Sequence, residues 1–246
     1  MKRKERHHLK QNELLVSLGR FAGWTAENRH SLTTGGIAVL VAAVIVGGIY
    51  VYRHGRDQAA DTALSEALEV YHGVVRQDSI ISGPDAGPTF GSHEERYVTA
   101  LEALEEVEQE YSGIKQGREA RYYMALSKAG LGELEEAEAL LEDVVDKRGD
   151  LLYYLASQTL ATVKADRGDH AAAVELYRTL VDDAKGPLPK DQLLFRMAEQ
   201  LEADGKLQEA RQVYIRFLEE YPTSLLRSKA EQRSELLEFR LKGSPA

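Results

Sequence analysis

Residues 189–222, PKDQLLFRMAEQLEADGKLQEARQVYIRFLEEYP, decide the fold. Met197-Ala198 stand ahead of Gly205; Ala210, Tyr214 and Phe217 recur at helical spacing after it, and Tyr221-Pro222 closes the unit. Glycine permits a tight turn between two helices. Working outward, the same arrangement returns upstream at Gly168 and Gly132, at intervals of 37 and 36 residues. Each glycine has an alanine seven residues before it (Ala125, Ala161, Ala198) and another five after it (Ala137, Ala173, Ala210). Four residues beyond the second alanine stand Leu141, Tyr177 and Tyr214, and seven beyond it Val144, Leu180 and Phe217. Small alanines let paired helices approach closely, and the larger residues fill the space between successive pairs. One helical hairpin cannot bury its apolar face alone, so units of this kind stack into a solenoid.

The order of small residue, glycine turn, alanine, aromatic and closing proline resembles the tetratricopeptide repeat, best at Met197-Ala198, Gly205, Ala210, Tyr214, Phe217 and Pro222. Three units cover about residues 115–148, 151–185 and 189–222, and residues 223–242 read as a capping helix. Half of a fourth unit stands upstream in Ala100, Leu104, Val107 and Tyr111. Its partner helix is displaced to residues 57–76 by SIISGPDAGPTFGS, whose residues 79–91 read as an exposed Gly/Pro loop. Three glycines there do not make a phosphate cradle, because the Lys-Ser/Thr pair is missing and prolines remove N–H donors. Ser92 followed by Glu95 reads as the capping box of the next helix.

The resemblance implies a concave groove lined by the first helix of each unit. By the family's pattern the groove positions are Glu119, Tyr122 and Leu126, then Leu155, Gln158 and Thr162, then Gln192, Phe195, Glu199 and Glu202. Some members clamp a C-terminal carboxylate with Lys and Asn at such positions. Tyr122, Leu126, Gln158 and Thr162 stand there instead, so the groove reads as acidic with apolar patches. It suits an extended basic or apolar segment of a protein partner.

A different signal precedes the repeats. Gly35 to Tyr52, GGIAVLVAAVIVGGIYVY, carries no charge, and the uncharged run from Ser31 to Tyr52 is 22 residues long. As a helix it would reach roughly 33 Å, enough to cross a bilayer core. Tyr50, Tyr52 and Arg53 suit the headgroup level. The polar tail ahead of the run and the absence of a small-residue cleavage site after it argue against a cleaved signal peptide. The expected fold is therefore all-α, a single transmembrane helix at residues 35–52 followed by a tetratricopeptide-type α-solenoid at residues 53–246. Small residues at Ala38, Ala42, Ala43 and Gly47 permit helix packing, so a homo-oligomer through the anchor is open.

Charge sets the expected orientation. Residues 1–34 carry a net +4, Arg53 and Arg56 add +2, and residues 57–246 carry −15. The positive-inside rule then places the tail, residues 1–34, in the cytoplasm and the acidic repeats outside. In an envelope with two membranes that is the periplasm, with the chain in the inner membrane. Within the tail Leu14, Leu15, Leu18 and Phe21 recur at helical spacing, which suits a short surface helix. An acidic domain is repelled by nucleic acid, so no nucleic-acid binding is expected.

Chemistry finds little support. No cysteine occurs, which excludes disulfides and thiolate metal sites, and the seven histidines are scattered. His7 and His8 lack helical ligand spacing. No nucleophile motif, HExxH or dinucleotide fingerprint occurs, so no enzyme activity, cofactor or metal is expected. The layout of basic tail, one span and exported repeats resembles the ancillary Sec-translocon subunit family. It implies a scaffold whose partners are translocon subunits, a periplasmic chaperone or exported chains. An envelope scaffold for cell division or secretion machinery is an alternative. A cytoplasm-facing membrane-anchored repeat regulator is another, but such regulators carry a cysteine metal knuckle and a very short pre-anchor tail, and this chain has neither.

Overall fold

The computed structural model describes residues 29–76 and 87–243. Residues 1–28, with the basic cluster and the Leu14–Phe21 stripe, and residues 77–86 of the insertion lie outside the described residues. The chain divides into two compact units at Gln58/Ala59, six residues beyond the boundary expected at the end of the apolar run.

The described part of the first unit belongs to one element, α1 (Arg29–Tyr71), a helix that continues into the second unit. Within that unit Ile37, Leu40, Val44, Val46, Tyr50 and Tyr52 are all more than 60% exposed. Stacking of the Tyr50 ring on His54, one turn on, is a contact within the same helix. Among the described residues, no helix is long and apolar enough to cross a membrane. The run expected to do so includes Gly36, Ala38 and Val39, whose exposure lies outside what the structure describes.

The second unit begins with the end of α1 and continues through β1 (Val74–Val75), β2 (Thr89–Phe90), α2 (His93–Tyr111), α3 (Lys115–Gly130) and α4 (Leu134–Val145). After them come α5 (Leu151–Asp166), α6 (His170–Asp182), α7 (Lys190–Ala203), α8 (Leu207–Glu220) and α9 (Arg227–Gly243). From α2 onward each helix packs on the next, so the core is a string of layers. Helices α3/α4, α5/α6 and α7/α8 are the three hairpins. Gly132, Gly168 and Gly205 turn them at φ of +80°, +88° and +76°, a left-handed conformation that glycine adopts without penalty. Each turn is closed alike. Glu133, Asp169 and Lys206 donate their N–H groups to the carbonyls of Lys128, Lys164 and Leu201, at 2.9, 2.8 and 2.9 Å.

All six repeated alanines have no exposed surface, and Leu141, Tyr214, Val144 and Phe217 have none either. Close packing leaves no room for added methylenes at such points, and forced insertion costs roughly 1–3 kcal/mol. Ala210→Leu is therefore expected to lower the thermal midpoint measurably, while a change at exposed Gln212 on the same helix leaves it in place. Circular dichroism melts of both variants check the assignment.

The first hairpin departs from the others. Ala60, Leu64 and Ala67 of α1 pack against Ala100, Leu104 and Val107 of α2, as the displaced-helix reading requires. The helix nevertheless stops at Tyr71. Val74 and Val75, expected on the helical stripe, form a parallel pair with Thr89 and Phe90. The Val74 N–H donates to the Pro88 carbonyl (2.9 Å) and the Arg76 N–H to that of Phe90 (3.0 Å). Thus the far end of the insertion, residues 88–90, is packed structure rather than exposed loop. Phe90 is 8% exposed, and its ring occupies the space that a side chain at Gly73 would need, 2.3 Å from an ideal Cβ. Proline content masked this, since Pro88 lacks a donor but still offers its carbonyl.

Helix α2 starts as a capping box. Ser92 Oγ accepts from the Glu95 N–H (3.1 Å), while Glu95 Oε2 reaches back to the Gly91 N–H (2.7 Å), one residue earlier than the usual box. At the other end α9 buries Ala230 and Leu237 completely. Leu236 and Phe239, expected to help cap the array, instead face outward at 41% and 76% exposure.

Candidate protein-binding groove

The first helices of the hairpins, α3, α5 and α7, carry the ten residues expected to line a groove. Two separate hollows touch five of them.

The first hollow, about 270 Å³, lies between α3 and the start of α5. Glu119, Tyr122 and Leu155 come together there with Lys115, Tyr123 and Leu151. Asp150 builds its wall: its carboxylate accepts the Tyr153 N–H (2.9 Å) and caps α5, placing Leu151 at the exposed first turn. Leu151 is 58% exposed, an apolar side chain held at the rim. Lys115 Nζ lies 3.1 Å from Glu119, so that carboxylate is largely neutralised within its own helix. The Tyr122 hydroxyl lies 3.3 Å from Thr159 Oγ1, and its ring stands edge-on to Tyr123. Tyr123 in turn stands edge-on to Tyr71, whose hydroxyl pKa is pushed up to about 12, mainly by burial. The adjacent tyrosines 122 and 123 read as packing and groove lining in the sequence, whereas Leu151 was missed. The only available signal was Asp150 as a cap, which would have put Leu151 at a first-turn position.

The second hollow, about 300 Å³, lies between α7 and the turn into α9. Gln192 lines it, with Arg196, Lys229 and the fully exposed Leu225. Phe195 borders this hollow but does not project into it as a groove residue would. It is 2% exposed and packs edge-on against Tyr214 and Phe217 at 5.5 and 6.1 Å between ring centres, with Lys229 Nζ 5.0 Å above its face. Helix α9 closes over this ring, which a reading of the repeats alone could not anticipate.

Three of the remaining five positions are paired within the chain. Glu199 pairs with Arg196 (3.0 Å) and Lys229 (3.7 Å). Glu202 accepts the Tyr214 hydroxyl (2.8 Å) and lies 3.5 Å from Arg233. Burial and that bond to Glu202 push the Tyr214 hydroxyl far up, so it stays protonated. The expected acidic lure at this end is therefore cancelled by Arg196 and by cations that α9 supplies. Thr162 bonds to Tyr177 (3.2 Å) and to the Gln158 carbonyl, while Gln158 and Leu126 are half-buried. Among the described residues no cluster of side chains could hold a metal ion.

The family model of the tetratricopeptide repeat-like domain matches residues 23–242, which takes in the apolar run as well as every hairpin. The chain belongs to the tetratricopeptide repeat-like domain family. Repeats of this fold serve as scaffolds for protein–protein interaction. Among solved structures, the repeats of a kinesin light chain from Podosopora anserina align at a TM-score of 0.50 and 21% identity, over 58% of this chain and 77% of that one. MamA of strain RS-1 aligns at a TM-score of 0.48 and 18% identity, over 62% and 78%. At 21% identity the likeness to the kinesin light chain repeats is one of fold. No curated protein matches the chain in sequence.

Proposed function

We propose that this tetratricopeptide protein is a single-pass scaffold of the bacterial inner membrane, with its repeats in the periplasm, where it links the Sec translocon to chaperones and newly exported chains. The observation that supports an anchor is the exposed apolar surface of α1. Among the described residues nothing covers Ile37, Leu40, Val44, Val46 and Ile49, and exposure to water of that much contiguous apolar side chain is costly. Lipid removes the cost, and a helix satisfies its own backbone there. The basic tail and acidic repeats give the orientation. The hollow at Tyr122 and Leu151 is the docking point for an apolar side chain of the partner.

Topology is the first check. Protease added to intact spheroplasts is expected to remove residues 57–246, and protection until lysis reverses the orientation. Photocrosslinking then tests the partner. A photoreactive residue at Tyr122 should capture translocon or chaperone subunits, and one at Ala139, exposed on α4, should not. Equal capture from both positions removes the hollow from the proposal, and capture from the span alone removes the repeats.

A further inference from the structure

The two ends of a repeat array present faces that interior layers keep covered. At the start of this array, α1 and α2 enclose a hollow of about 220 Å³, floored by Ala63, Ala67, Ala103 and Val107 and rimmed by Glu66 and Glu106. It opens on the side away from α3. Glu108 pairs with Arg121 of α3, and Glu106 stands about 200° around the helix from it. Both rim carboxylates are exposed. The alanines keep the floor low, so another helix can approach closely.

At the far end, α9 offers the complement. Its buried stripe, Ala230, Ser234 and Leu237, leaves Leu236 and Phe239 facing outward, with exposed Arg240 beside them. The helix carries five basic residues against three acidic ones, in a repeat region that is otherwise strongly acidic. Two copies would repel each other through most other faces.

We propose that the repeat array binds a second copy of itself head to tail, with Phe239 and Leu236 of one copy entering the α1–α2 hollow of the next. Arg240 then lies against Glu66 and Glu106. An aromatic ring fits the volume of the hollow, the small floor admits the helix behind it, and the charges at the rim have opposite sign. The two faces differ, so the contact does not close on itself as a two-fold dimer does. Each added copy presents a fresh end, and the association is open-ended. This proposal is independent of any translocon partner and of packing through the anchor.

The absence of native cysteines gives a clean test in the full chain. Differently tagged Glu106→Cys and Phe239→Cys variants are co-expressed and oxidised. Disulfide-linked heterodimers are expected from the mixture, and a ladder of higher species from the double variant. Glu66→Lys should reduce the crosslink about tenfold through like-charge repulsion with Arg240, and Arg240→Glu on the other copy should restore it. Dimers from Phe239→Cys alone in similar yield would mean a symmetric α9–α9 contact and overturn the proposal. No mixed product, or a crosslink insensitive to Glu66→Lys, would overturn it as well.

Discussion

Phe195→Ala is expected to destabilise the last hairpin by about 3–5 kcal/mol, the usual cost of removing a buried aromatic ring. The ring fills the space where α7, α8 and α9 meet, touching Tyr214 and Phe217 edge-on. Its removal leaves a cavity that three helices would have to move to close. It also strips Lys229 of the ring face beneath its ammonium. Urea unfolding followed by circular dichroism should show the midpoint fall sharply. Phe195→Leu, which keeps most of the volume, should recover much of the loss. A midpoint shift as small as that of an exposed substitution would return Phe195 to the groove. The same measurement separates the hollows, because Tyr122→Ala, at a half-buried rim, should cost far less.

Arg118→Ala comes second, at roughly 2–3 kcal/mol, in line with hydrogen bonds to a charged donor and its partly buried environment. The guanidinium is a brace between repeats. Nε and Nη2 donate to the Val144 carbonyl at 3.0 and 2.8 Å, Nη2 also to that of Lys147 at 2.7 Å, and Nη1 to the Asp150 carboxylate. One side chain thus satisfies the open carbonyls at the end of α4 and the cap of α5. Lysine cannot reproduce that fork, so Arg118→Lys should rescue little. Burial disfavours the charge on Asp150, but the bonds from Arg118 and the Tyr153 N–H outweigh it and hold the carboxyl below its ordinary value. A carboxyl depressed on folding adds stability above its unfolded value, and that contribution fades as pH falls through the folded one. The gap between wild type and Arg118→Ala should therefore narrow on acidification below about pH 4. A gap constant with pH would assign the effect to the carbonyl bonds alone.

How much of this was legible follows from what each residue reports. The hairpins were readable because Gly132, Gly168 and Gly205 serve a local demand, a left-handed turn, and the alanines flanking them serve the contact created by that turn. Both signals lie within one unit. Phe195 was misplaced because its ring packs on Tyr214 and Phe217 inside its own hairpin and is covered by Lys229 of α9, a helix that obeys no repeat rule. Glu199 and Glu202 were misread for the same reason, as Lys229 and Arg233 reach them from that helix. Val74–Val75 and Thr89–Phe90 pair across the insertion, and two-residue strands leave no periodicity to detect. Sequence read the layers and lost what passes between them.

The connection between Tyr71 and His93 has a kinetic meaning as well. The later helices are joined by three to seven residues, while this connection must close 21. Chain entropy grows with the logarithm of loop length, so bringing α1 to α2 costs about 2 kcal/mol more than closing a three-residue turn. Pairing of Val74–Val75 with Thr89–Phe90, and the seating of Phe90 over Gly73, offset part of that cost with backbone hydrogen bonds and a buried ring. Folding that begins in the short-turned hairpins is expected to meet its slowest closure last, at the first hairpin. The first hairpin is thereby expected to be the last layer to close, its connection held by four strand residues, one of them carrying the ring that covers Gly73.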